Sequence, residues 1–177
     1  EAGVELHLGR RASSLDPAGK RIMDDRGAEY TYDKLLLATG GTPRRLPFGG
    51  DSVIYFRTLE DYRRLHAMAE PGRTFVVIGG GFIGSEIAAA LAMQGCKVTM
   101  LFPEDGIGAR LFPADLARFL VEYYGEKGAV VRPGEQVTDV SRNGAKVVVE
   151  TKGGTRLTVD AVNQRDYPII TGVFLIV

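Results

Sequence analysis

Thr74-Phe-Val-Val-Ile-Gly-Gly-Gly-Phe-Ile-Gly-Ser-Glu86 is the stretch whose reading decides the fold. Its opening, Thr74 to Ile78, is a short apolar run rich in β-branched residues, the pattern of a strand covered on both faces. Three glycines follow at once. Phe82 to Gln94 then carries Ile83, Ile87 and Leu91 at four-residue spacing, one face of a helix. A strand that turns through glycine straight into a helix leaves the helix's first N–H groups and its positive dipole end at the turn, which is an anion site. Read as G-x-G-x-x-G, the glycines have separate tasks. Gly79 permits the tight turn, Gly81 lets backbone N–H groups approach a pyrophosphate, and Gly84 lets the helix lie close on the strand. The spacing alone is weak; the strand before it and the helix after it are the confirming context.

The next strand, Lys97 to Phe102, leads into Pro103-Glu-Asp105. Glu104 stands 20 residues beyond Gly84, the distance at which an acid accepts hydrogen bonds from the ribose hydroxyls of a bound dinucleotide. A carboxylate there repels a 2′-phosphate, and Asp105 adds to the repulsion, so the expected ligand is NAD(H) rather than its phosphorylated form. Two other readings fit the same residues. One is a solvated acid beside a purely structural turn. The other is an S-adenosylmethionine site, which also uses a glycine loop and a following acid but has no pyrophosphate to seat.

Outward from this unit, the order of elements predicts an α/β fold. Val53 to Phe56 reads as a short strand, and Thr58-Leu-Glu-Asp61 as the cap of a helix running to about Ala69. Pro113 suits the first turn of another helix, with Leu116, Phe119, Leu120, Tyr123 and Tyr124 as its apolar stripe. Strands follow at 129–132, 135–141, 145–150 and 155–162. Strand–helix–strand–helix–strand predicts a Rossmann-like parallel sheet with covering helices, followed by an antiparallel β-meander. On the N-terminal side, Val4 to Leu8 alternates as a half-buried strand does, and 21–23 with 29–32 read as a hairpin. Lys34 to Ala38 reads as a strand covered on both faces, stopping at Thr39-Gly40-Gly41. The Pro-, Arg- and Gly-rich stretch 42–51 reads as a linker.

Composition narrows the classes. Twenty-two Lys and Arg balance twenty-two Asp and Glu, so there is no basic footprint for nucleic acid or an acidic membrane. Glycine accounts for 23 of 177 residues, where average usage of about 7% would supply roughly twelve. One cysteine, Cys96, permits no internal disulfide, no cysteine-based zinc cage and no redox pair. His7 and His66 stand apart with no ligand-like spacing, so no metal site is expected. No apolar run approaches a membrane span of about 20 residues, and no signal-peptide pattern is present, so a cytoplasmic protein is expected.

Three motifs in order, Tyr32-Asp-Lys-Leu-Leu-Leu-Ala-Thr-Gly-Gly-Thr-Pro43, Phe56-Arg-Thr-Leu-Glu-Asp61 and Gly79-Gly-Gly-Phe-Ile-Gly-Ser-Glu86, carry a family resemblance. The chain resembles the FAD-dependent pyridine nucleotide–disulfide oxidoreductase superfamily over about residues 1–162. Leu101-Phe-Pro-Glu-Asp105 looks closest to its apoptosis-inducing-factor and ferredoxin (rubredoxin) reductase branch. The resemblance implies that residues 1–52 are the second half of an FAD-binding domain and 53–162 an NAD(H)-binding domain. It implies hydride transfer from NADH to FAD and onward to an acceptor, with a redox partner protein. Gly79, Gly81, Phe82, Ile83 and Gly84 would cradle the pyrophosphate and Glu104 would hold the ribose. Glu86 matches an acid near the nicotinamide, although an ordinary first-turn carboxylate would look the same. Ala38, Thr39 and Gly40 match the turn where the chain leaves the FAD domain, a cofactor contact or structural punctuation. No catalytic residue is assigned.

The chain also departs from the pattern. The N-terminal glycine loop of the FAD domain, its downstream Gly-Asp motif and the C-terminal interface domain are not found in it. The expectation is a fragment that needs the missing FAD-domain segments, binds NADH weakly alone and catalyses nothing; a non-catalytic dinucleotide sensor or interaction module is the alternative. Residues 163–177 depart from the family and end in Ile169-Ile-Thr-Gly-Val-Phe-Leu-Ile-Val177, seven of nine apolar. That tail is expected to be buried as a strand in this sheet or in that of a second copy, since exposure would favour aggregation.

Overall fold

The computed structural model describes residues 3–160 and 169–171, which fall into two units, Glu1–Gly41 and Thr42–Val177. The first unit is a three-stranded antiparallel sheet, β1 (Ala12–Asp16), β2 (Arg21–Asp24) and β3 (Glu29–Thr31), in that order. The β2–β3 hairpin is the expected one; β1, reading Ala-Ser-Ser-Leu-Asp, has no clean alternation and is an addition. Asp24 organises the hairpin turn. Its carboxylate, in a side chain only 3% exposed, accepts from the Arg26 and Ala28 amides and the Tyr30 hydroxyl, and pairs with Arg10 at 3.2 Å. Burial works against that charge, but the amides, the hydroxyl and Arg10 outweigh it and hold the carboxyl below its ordinary value.

Two expected strands do not form. Residues 4–8 have no ladder partner and leave Val4, Leu6 and Leu8 exposed; residues 34–38 likewise expose Leu36 and Leu37. A strand exists only where a neighbour supplies the other half of its hydrogen bonds, and none of the described residues does so for these two.

In the second unit a 3₁₀ turn at Gly50–Ser52 leads into β4 (Val53–Tyr55) and then α1 (Leu59–Met68). Thr58 and Asp61 form the expected capping box: the Asp61 N–H donates to the Thr58 hydroxyl, and the Thr58 N–H donates to the Asp61 carboxylate at 2.7 Å. The chain continues through β5 (Thr74–Ile78), α2 (Phe82–Met93), β6 (Lys97–Phe102), α3 (Ala114–Glu126) and β7 (Val130–Pro133). A meander follows, β8 (Val137–Asn143), β9 (Lys146–Thr151) and β10 (Arg156–Asp160), antiparallel in the order β10-β9-β8. The last described strand is β11 (Ile169–Thr171). It lies parallel between β4 and β5, so the parallel sheet runs β4-β11-β5-β6-β7. The tail expectation is met in its backbone by β11. The burial of those side chains, and residues 161–168 and 172–177, lie outside the described residues.

The unbroken apolar runs are explained by what covers each face. Phe75 and Val77 of β5, with Val98, Met100 and Phe102 of β6, pack with Leu65 and Met68 of α1 and Ile87, Ala88 and Leu91 of α2. Val76, Ile78 and Leu101 point the other way, onto Val140, Val147, Val149 and Val159 of the meander. Helices, parallel sheet and meander are three layers, and a strand in the middle layer is apolar on both faces wherever both are covered, while Thr74 and Lys97 at the strand starts stay exposed.

α3 requires a correction. Its inward face is Ala117, Leu120, Val121 and Tyr124, whereas Leu116, Phe119 and Tyr123 are exposed, Phe119 by 56%. Pro113 caps the helix from outside rather than occupying its first turn. The reason is Gly106, beside whose missing side chain the backbone of Ala117 passes: a Cβ on Gly106 would stand 2.8 Å from the Ala117 carbonyl. The helix approaches most closely at its small residue, and that turns the large ones on the neighbouring stripe outward.

Candidate functional site

The site lies at the carboxyl ends of β5 and β6, where an open parallel sheet places its ligands. The ladder carries one residue beyond β5: the Gly79 N–H donates to the Leu101 carbonyl at 2.9 Å. Gly79 then turns with φ +122°, which side chains rarely tolerate. A Cβ on Gly84 would overlap the Gly79 carbonyl oxygen, so α2 can lie this close to the turn only with glycine there. Gly80 rests on the Phe102 ring, where an added Cβ would stand 2.7 Å from the ring carbon that bears the side chain.

Gly81 is different. It is the N-cap of α2 with extended backbone, φ −84° and ψ −174°, a conformation open to any residue, and a Cβ added there meets nothing within 4 Å. No side chain caps α2 and no acid stands in its first turn. The helix thus presents its amide end to open space at the one glycine of the motif that neither backbone geometry nor packing requires.

Phe82 is 46% exposed and meets Phe112 edge-on at 5.8 Å. The half-buried Ile83 side chain packs against the core from α2. Glu86 is exposed and sits in the second turn of α2, not the first. Near it, the Tyr124 hydroxyl donates to the Ser85 carbonyl at 3.2 Å and fastens α3 to α2; burial pushes the pKa of that phenol up, holding it protonated. Ala38, Thr39 and Gly40 are exposed and belong to the other unit.

Glu104 is held by its main chain. Its carbonyl accepts from the Gly134 N–H at 3.0 Å, while the Phe102 carbonyl accepts from Glu135 at 2.9 Å, so the exit of β6 is stitched to the exit of β7. The loop that follows is tied to the glycine turn: Ile107 is buried, and the Gly108 N–H donates to the Gly80 carbonyl at 2.7 Å. Gly108 has φ +70°, and Leu111 and Phe112 both donate back to its carbonyl, closing a tight turn that carries Arg110. The Arg110 guanidinium pairs with the Glu104 carboxylate at 2.5 Å, the acid side chain 23% and the arginine 77% exposed. The sequence reading did not single out this arginine. Its only signal was a lone basic residue inside a glycine-rich loop.

Elsewhere, a cleft of about 310 Å³ is lined by Arg45, Asp51, Tyr55, Asp61 and Arg64. Two cations and two carboxylates balance there, so its charge selects no ligand. Cys96 is buried with its thiol directed at the Glu70 carbonyl, and burial pushes its ionisation up, away from reactivity. Among the described residues no group of three His, Cys, Asp or Glu could hold a metal ion, and no helix is long and apolar enough to cross a membrane.

Comparison with known proteins places this geometry. A monodehydroascorbate reductase from Oryza sativa subsp. japonica (number 4, cytosolic) is 36% identical over 172 residues, covering 92% of this chain and 40% of the relative. Monodehydroascorbate reductase 2 of Arabidopsis thaliana is 38% identical over 173 residues, with the same coverage. The reductase in a covalent putidaredoxin reductase–putidaredoxin complex superposes with a TM-score of 0.73 at 30% identity. A ferredoxin reductase of Rhodopseudomonas palustris gives 0.74 at 27%. Each of these two comparisons covers 93% of this chain and 40% of the other. The chain thus spans about 40% of the length of the relatives it matches. The pyridine nucleotide-disulphide oxidoreductase family matches residues 1–164, and the chain belongs to it.

Proposed function

We propose that this chain is the NADH-binding portion of an FAD-dependent oxidoreductase in which NADH passes a hydride to the flavin and the electrons go on to an acceptor. The observation that carries the dinucleotide reading is the open space at Gly81 in front of the uncapped amide end of α2. The backbone N–H groups of Gly81, Phe82, Ile83 and Gly84 would hold the pyrophosphate, and Glu104 the adenosine ribose. NADH supplies the hydride; this chain binds and orients it. A pyrophosphate gripped by amides and a helix end needs no basic surface, in keeping with the zero net charge.

For FAD the described residues do not compose a site. Ala38, Thr39 and Gly40 are exposed, with no cradle that an added Cβ would fill at Gly41 beside them. Flavin binding is therefore proposed for the longer protein, with residues 1–52 as part of its FAD domain and 53–162 as the NADH domain. A redox partner protein is proposed on the likeness to the reductase solved with putidaredoxin.

Titration of the 177-residue chain with NADH, NADPH and S-adenosylmethionine tests the reading. NADH is expected to bind; binding of S-adenosylmethionine in its place contradicts it. Glu104→Ala removes a charged acceptor from the ribose and is expected to weaken NADH about tenfold, since hydrogen bonds to charged groups are worth about 1.5–3 kcal/mol. NADPH should lose less. Equal losses for the two nucleotides would refute the ribose assignment.

A further inference from the structure

The first turn of α2 is weak by its own composition. Four of the six residues 79–84 are glycines, and glycine loses more conformational freedom on folding than any other residue. No side chain caps the helix. Within the turn, the Ser85 hydroxyl donates to the Phe82 carbonyl and the Ser85 N–H to the Gly81 carbonyl, both at 2.9 Å. These bonds close the turn on itself and do not tie it to a neighbour. From outside, the Gly108 N–H donates to the Gly80 carbonyl at 2.7 Å, ahead of the helix. The Tyr124 hydroxyl reaches the helix itself, donating to the Ser85 carbonyl at 3.2 Å. Among the described residues it is the one side chain outside α2 that hydrogen-bonds to that helix. Its half-buried ring packs against the core on the helix side of the sheet, so the hydroxyl is presented by an anchored side chain.

We propose that Tyr124 is a positioning residue for the pyrophosphate: its hydroxyl holds the first turn of α2 in the arrangement in which the amides of Gly81, Phe82, Ile83 and Gly84 converge. It acts at one remove, through the Ser85 carbonyl. The bond raises the fraction of empty chains whose turn is already set for binding, and the apparent dissociation constant rises in proportion as that fraction falls. This inference rests on the dinucleotide reading above.

Dissociation constants of NADH, ADP-ribose and adenosine for the full chain, for Tyr124→Phe and for Tyr123→Phe test it. Tyr124→Phe keeps the packed ring and removes one oxygen, so the variant should fold. NADH and ADP-ribose both carry the pyrophosphate and are expected to bind Tyr124→Phe about three- to tenfold more weakly, the scale of one neutral hydrogen bond. Adenosine has base and ribose without phosphate, and its binding should hold. Tyr123→Phe removes a hydroxyl from the exposed neighbour on the same helix and should leave all three constants as they were. Amide hydrogen exchange of the empty proteins gives a readout that needs no ligand: the Ser85 N–H should exchange faster in Tyr124→Phe while the amides of β5 and β6 keep their protection. The proposal is overturned if the NADH constant of Tyr124→Phe moves by less than about twofold, below the range of a lost hydrogen bond. It is also overturned if adenosine weakens as much as NADH, if Tyr123→Phe matches Tyr124→Phe, or if exchange at Ser85 is unchanged. A full chain that binds no NADH overturns the dinucleotide reading itself, a different result from NADH bound equally well by both proteins.

Discussion

Gly84→Val is expected to lower the melting temperature of the chain by roughly 10 °C and to abolish NADH binding. Even a single Cβ at this position overlaps the Gly79 carbonyl oxygen, a backbone atom that cannot swing aside as a side-chain end can. Valine adds two further methyl groups in a helix already resting on β5. The first turn of α2 must therefore lift from the strand, and the amides proposed to hold the pyrophosphate lift with it. Overpacking of this kind costs typically 1–3 kcal/mol, and the upper end applies because the obstacle is main chain. For a domain of this size each kcal/mol is worth roughly 2–4 °C or somewhat more. Thermal melts and an NADH titration at low temperature check both halves. A variant that melts normally contradicts the packing role assigned to Gly84.

Phe102→Ala is expected to cost about 3–5 kcal/mol, the range for emptying a fully buried aromatic site. Phe102 is 1% exposed, packs into the core beneath the helices and forms the floor under Gly80. Its loss opens a cavity at the joint where the glycine turn, the end of β6 and the acid loop meet. Binding should weaken as well, because Gly80 carries the carbonyl to which Gly108 is bonded. Phe102→Leu fills most of the space and should lose under half as much stability on the same scale. Calorimetry on the two variants separates a cavity effect from a local one: equal losses would mean that volume at Phe102 is not what matters.

The middle of this fold was readable because its residues obey two constraints at once. Phe75–Ile78 is apolar on both faces, which a sandwiched strand explains, and the glycine run between it and α2 marks a turn that opens onto a helix end. Patterns that allow two answers were read less well. On α3 the expected stripe holds at Leu120 and Tyr124 and fails at Leu116, Phe119 and Tyr123, because the face of Ala117, Leu120, Val121 and Tyr124 satisfies helical periodicity equally well; the close approach of Gly106 to Ala117 favours the second face, and that contact joins residues eleven positions apart across a loop. At Val4–Leu8 alternation describes a segment able to pair, but pairing depends on a neighbour, which periodicity does not report. Arg110 was invisible for a related reason. It lies six residues past Glu104, and only the left-handed turn at Gly108 brings the two side chains together.

Gly81 offers the most direct test, because at this position the demands of folding and of binding part company. Its backbone is extended and its surroundings are empty, so Gly81→Val should fold with a melting temperature close to that of the unsubstituted chain. If a pyrophosphate lies against the amide end of α2, the same side chain stands in its place. The dissociation constant for NADH, measured on both proteins, should then rise by at least about tenfold, since more than one charge-assisted hydrogen bond is lost. An unchanged melting temperature with NADH bound as tightly as before would show that the space in front of α2 is not where the dinucleotide sits.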